Sequence, residues 1–159
     1  MTIDPVDAFI GAAQACVGAQ EVPAGSNRGM FVELCQATTG GQPGDPWCAD
    51  FMARVGKAMF GASWPLPLTG GCQTLYDWSL AHNLIALTPT RGDLFLVWEP
   101  SLHRFGHVGV VLTPEGDTIS GNTTRPGAAG DPREGWVVAR KPWTFKQDDR
   151  FVRWAGLLV

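Results

Sequence analysis

Charge is scarce in this chain of 159 residues: only 17% are Asp, Glu, Lys or Arg, and no lysine- or arginine-rich run occurs. With 12 basic against 15 acidic residues the formal charge is -3, which offers a polyanion nothing to grip and excludes nucleic-acid binding as the main business. No stretch reaches the roughly 18 continuous apolar residues that cross a bilayer, so no integral membrane segment is expected. Cys16, Cys35, Cys48 and Cys72 never fall into Cys-x-x-Cys spacing, and the three histidines come without a carboxylate cluster at metal-ligand spacing. Zinc and thioredoxin-like readings fail on that ground, and no metal is expected. Repeats and low-complexity tracts are also missing. The N-terminus, Met1-Thr2-Ile3-Asp4-Pro5, lacks the basic-then-apolar layout of a secretory signal, so synthesis in the cytoplasm without a Sec-type signal is expected.

What the chain does have is 45% apolar residues, enough for one core in a single domain over residues 1–159. The first half reads helical. Asp4-Pro5 is a cap followed by a proline at the first helical position, and Val6, Phe9, Ile10, Ala13 and Val17 form a stripe ending near Gly18. Asn27 is read as the cap of a second helix bearing Phe31, Leu34 and Cys35. A third continues from Asp45 through Phe51, Met52, Val55 and Met59, with Asp50 and Arg54 as an outward pair, and a shorter one runs from Gln73 to His82. After Pro89 the texture turns to strands: Asp93 to Trp98, Gly106 to Leu112, Thr118 to Thr123, Trp136 to Arg140 and Phe151 to Val159. Helices first and strands afterwards indicate an α+β domain, with N-terminal helices packed on a C-terminal antiparallel sheet.

The chemistry concentrates in Asp45-Pro46-Trp47-Cys48. With Asp45 as N-cap and Pro46 at the first position, Cys48 sits among backbone N–H groups that lack helical partners. Those dipoles favour a thiolate. A proton partner is offered by Gly106-His107-Val108-Gly109, where alternation turns His107 away from the more apolar face and the glycines leave room for the cysteine helix or a substrate. With Glu115-Gly116 as a two-residue turn, Asn122 falls opposite Gly109, on the face of His107 and one diagonal step from it. An Asn there orients the imidazole.

Pro46-Trp47-Cys48-Ala49, Arg91-Gly92-Asp93-Leu94, Gly106-His107-Val108-Gly109-Val110-Val111 and Ser120-Gly121-Asn122-Thr123 resemble the ordered motifs of the CHAP family, over roughly residues 15 to 140. These are cysteine, histidine-dependent amidohydrolases and peptidases of papain-like fold, mostly cutting amide bonds in bacterial peptidoglycan. The resemblance implies Cys48 as nucleophile, His107 as base and Asn122 as third residue, with no cofactor and peptidoglycan as partner. Many members carry Glu two residues before that Asn, where this chain has Ser120. Gln42, six residues before Cys48, matches the oxyanion-hole glutamine of papain-like proteases. Trp47 and Trp143 are read as cleft-lining rings, and with Gln42 and Ser120 they make up the oxyanion and substrate-binding set. Acting on the wall would require delivery by another system, and an injected toxin would meet a cognate inhibitor or immunity protein.

Alternatives stay open at this level. Cys72, after Gly70-Gly71 near another helix start, is the rival nucleophile. Cys16 and Cys35 are either a disulfide or small buried thiols. An acyltransferase or amidase on a non-wall substrate would use the same triad, and a binding module would have a structural cysteine. Residues 124–133 form a long polar loop beginning beside Asn122, a candidate substrate wall. Which amide bond is cut is not written in the sequence.

Overall fold

The computed structural model describes residues 3–158; Met1 and Thr2, the start of the N-terminal stretch, and Val159, the last residue of the expected final strand, lie outside them. Four helices come first: α1 (Pro5–Ala15), α2 (Met30–Thr39), α3 (Cys48–Phe60) and α4 (Cys72–Ala81). Six strands follow: β1 (Ile85–Ala86), β2 (Leu94–Glu99), β3 (Arg104–Val111), β4 (Asp117–Thr123), β5 (Val137–Pro142) and β6 (Arg150–Val152). They form one antiparallel sheet in the order β1-β6-β2-β3-β4-β5. The class is therefore α+β. Among the described residues no helix is long and apolar enough to cross a membrane.

Strand alternation divides the sheet into two apolar faces. Leu94, Leu96, Val108, Val110, Ile119, Val138 and Val152 pack with Phe9, Val32, Phe51, Met52 and Val55 in the main core. The opposite face carries Phe95, Val97, Val111 and Phe151, covered by Trp143 and Phe145. Close approach of α3 to the sheet depends on Gly121, where a Cβ would lie 2.7 Å from the Trp47 ring and 3.0 Å from Phe51 Cβ. The expectation had given this role to the glycines flanking His107. Gly109 instead accommodates Phe95 and Ser120 on the far face.

Capping decides the helix boundaries. Asp4 Oδ1 accepts from the Val6 N–H at 2.7 Å and Pro5 opens α1, as the sequence implies. The helix stops at Ala15, short of Gly18, and leaves Val17 exposed. Asn27 does not cap α2; it has φ 52° and donates to the Gly44 carbonyl, while Gly29 holds the cap position. Asp45 does not cap α3 either. Its carboxylate accepts from the Gln42 N–H at 2.9 Å, and Cys48 becomes the first helical residue after Trp47. Met59 and Leu34 point outward rather than extending the apolar stripes.

Two strand expectations are corrected. Val110 pairs with Ile119 and Val111 with Thr118, so β3 and β4 are joined by residues 112–116 rather than by a two-residue turn. Gly116, at φ 111°, takes the tight position, and the Trp143 N–H donates to its carbonyl at 2.7 Å. The final strand ends at Val152 because Trp154 turns inward, its indole donating to the Gly92 carbonyl at 2.8 Å and its ring lying against Phe9, Phe60 and Trp64.

Candidate functional site

Cys48 and Cys72 each occupy the first position of a helix, α3 and α4, and both line one cleft of about 800 Å³. The two sulfurs are 3.7 Å apart, and all four cysteines are free. Asp50, Gln73, Gly106 and Asn122 share the cleft wall. Cys48 is nonetheless only 4% exposed, so the thiol sits at the floor and not on the rim.

The Cys48 thiol is held well below its ordinary value of 9.0. The largest cause is the contact with the Cys72 thiol, which outweighs burial; the neighbouring His107 imidazole and the Val108 N–H add to it. Cys72 is pushed well above the ordinary value by that same contact and by its own burial. Of the two thiols, the proton leaves Cys48 first. Asp50, which accepts from Thr39 Oγ1, is pushed up to about 6 by burial, partly offset by that hydroxyl and aided by the nearby sulfur. The expected outward pair with Arg54 does not form, because Asp50 faces into the cleft and is buried.

His107 lies on the face the alternation predicts, but that face is covered. Its ring stacks on Trp143 with centroids 5.1 Å apart and planes 7° from parallel, and Phe95 lies at 6.1 Å. The side chain is fully buried and neither imidazole nitrogen has a hydrogen-bond partner. It influences Cys48 as a near neighbour, with no closed hydrogen bond between them. The expected solvent-open groove thus reaches the sulfur from one side, while an aromatic wall closes the histidine from behind.

The pairing of β3 with β4 covers only two residue pairs, and β4 is irregular between Ser120 and Thr123. Carried past those pairs, the observed register sets Asn122 level with His107, not diagonal to it. Instead Asn122 takes φ 51° and leaves the ladder, its carbonyl accepting from the Gly135 N–H at 3.0 Å and the residue lining the cleft with Cys48. No Asn122–His107 hydrogen bond forms. The structure brings Cys48 and His107 together and places Asn122 in the same cleft without joining it to the imidazole.

The remaining expected residues scatter. Gln42 is exposed in its loop and does not line the cleft. Trp47 is a core ring rather than a cleft wall: its Nε1 donates to Glu21 Oε1 at 2.9 Å and it packs edge-on against Phe31 and Phe51. Ser120 is buried opposite Gly109 with its hydroxyl unpartnered. Trp143 backs His107 and lines a second cleft of about 820 Å³ with Thr124, Arg133 and Lys141. The loop after Asn122 separates the two clefts, Arg133 contributing to both and pairing with Glu99 and Asp131.

Cys72 and Asp50 are the functional neighbours that the motif pattern underrates. Gly70-Gly71-Cys72 does carry a signal, a glycine entry into a helix; only the meeting of the first residues of α3 and α4 brings the two thiols together. Among the described residues no group of three or more His, Cys, Asp or Glu gathers at metal-binding geometry. The chemistry available is a thiol of lowered pKa at a helix N-terminus, an imidazole beside it and the Val108 N–H near the sulfur, a set suited to attack on an acyl carbon. No family model, curated protein or solved structure matches the chain.

Proposed function

We propose that the chain is a cysteine-dependent amide hydrolase of CHAP-like, papain-like architecture that cuts peptidoglycan. The observation that carries this reading is the Cys48 thiol, lowered well below its ordinary value at the head of α3, opening into a cleft and neighbouring His107. Cys48 Sγ attacks the scissile carbonyl, and N–H groups at the start of α3 receive the oxyanion. His107, having taken the Cys48 proton, donates it to the departing amine, leaving a thioester, and then takes a proton from the water that hydrolyses it. The Trp143 stack fixes the plane of the imidazole, and Asn122 is one of the polar side chains that line the cleft with Cys48. No cofactor takes part. The protein acts at the wall, and a cognate inhibitor would seat over the cleft.

Purified sacculi treated with wild type are expected to release fragments whose new termini, identified by mass spectrometry, show whether an amidase or an endopeptidase bond is broken. Cys48→Ala and His107→Ala are each expected to lower release at least about a thousandfold while keeping the native circular dichroism spectrum. Undiminished release by folded Cys48→Ala refutes the assignment.

A second reading, a binding module with a packing cysteine, is favoured by one observation: Cys48 and His107 are both buried, the histidine completely. The two diverge on iodoacetamide. A catalytic Cys48 is alkylated faster at neutral pH than a free thiol of ordinary pKa, and a packing cysteine is alkylated only on unfolding.

A further inference from the structure

We propose that Cys48 and Cys72 form a reversible thiol–disulfide couple, in which a hydroperoxide oxidises Cys48 and Cys72 resolves the product. The claim goes beyond the hydrolase reading: it rests on the position of the two sulfurs, and only its effect on activity depends on that reading.

Three observations converge. The sulfurs lie 3.7 Å apart, so bonding at about 2.05 Å asks for a further approach of roughly 1.6 Å. Each cysteine heads its own helix, and both line the cleft, which admits a small oxidant to the pair. The two thiols are also unequal, Cys48 lowered and Cys72 raised by their mutual contact, which makes the first the attacking nucleophile and the second the resolving group. Cys35 supplies the contrast within the same molecule. It is buried away from the cleft and its thiol is pushed up to about 12, chiefly by desolvation.

The steps balance. The Cys48 thiolate attacks the nearer peroxide oxygen, the O–O bond breaks, and with one proton taken up the products are Cys48 sulfenic acid and an alcohol, or water from hydrogen peroxide. Cys72 sulfur then attacks the sulfenic sulfur; the S–S bond forms, the S–O bond breaks, and the hydroxyl leaves as water with the Cys72 proton. In sum two thiols lose two protons and two electrons, and the hydroperoxide takes up both, giving the alcohol and one water. A dithiol restores both thiols by exchange through a mixed disulfide.

The chemistry is tested on the full chain by hydrogen peroxide titration in the presence of dimedone, followed by peptide mapping under non-reducing conditions. Wild type is expected to yield a crosslinked peptide pair containing Cys48 and Cys72, lighter by two hydrogens, abolished by dithiothreitol and free of dimedone. In Cys72→Ser and Cys72→Ala, each checked for native circular dichroism, the same treatment is expected to leave Cys48 as a dimedone adduct or sulfinic acid. In parallel, sacculus digestion by wild type is expected to fall at least tenfold on oxidation and to return with dithiothreitol. Dimedone-modified or sulfinic Cys48 in wild type with Cys72 still free overturns the couple, as do two unmodified thiols after treatment that oxidises free cysteine. Because the crosslink is read by mass, its presence in a protein that leaves sacculi intact refutes the hydrolase and keeps the couple; digestion without a crosslink does the reverse.

Discussion

Asp50 carries an electrostatic cost that can be read from outside the cleft. Its carboxyl is 1% exposed and is raised from 3.8 to about 6, mainly by burial. The folded state therefore holds this proton more tightly than the unfolded chain. Stability from this group is complete below the unfolded value of 3.8 and declines as pH rises towards the folded value of about 6. Roughly two units correspond to about 2–3 kcal/mol. Asp50→Asn removes the ionisation, so urea unfolding of both proteins between about pH 4 and pH 7 is expected to show wild type losing about 2–3 kcal/mol relative to the variant. A difference independent of pH would mean that the carboxyl is solvated in the folded protein.

Among the elements, the seating of α3 on the sheet decides whether the cysteine reaches its partners. Gly121 lets Trp47 and Phe51 press onto β4, and a methyl group there meets an indole held by its hydrogen bond to Glu21. Gly121→Ala is expected to cost about 1–3 kcal/mol, read as a lower urea midpoint with an unchanged m-value, because overpacking forces the helix outward. The same seating explains what the sequence made legible. Helix and strand identities, the capped start of α1 and the nomination of Cys48 and His107 follow from local pattern, since capping and alternation are set by neighbouring residues. The start of α3 eluded that logic because Asp45 bonds to its own loop instead of to the helix. The register of β4 eluded it because the connection from β3 spans five residues and Asn122 drops out of the ladder, both consequences of how β5 and residues 124–135 pack alongside. Asp50 was misread as a surface partner of Arg54 since helical spacing alone does not say which face meets Thr39.

At the scale of the molecule, the two ends of the described chain close on each other. Phe9 of α1 stacks on Trp64 at 5.3 Å, and both meet Trp154, which follows the last strand. Arg91 adds an exposed ion pair to Asp7, a contact of little energetic weight beside the rings. Trp154→Ala empties a fully buried site and is expected to cost about 3–5 kcal/mol. Since the ring bridges the helical half and the sheet, the helix signal in the far ultraviolet and the tryptophan signal in the near ultraviolet are expected to melt together in wild type and in the variant. Separate transitions would show the halves folding independently.

The parallel stack of Trp143 on His107 makes the indole a reporter on its neighbour. The environment of an indole face changes when the ring stacked on it moves. The emission of this one tryptophan therefore registers displacement of a side chain that solvent does not reach, and the difference spectrum against Trp143→Phe isolates it from the other six.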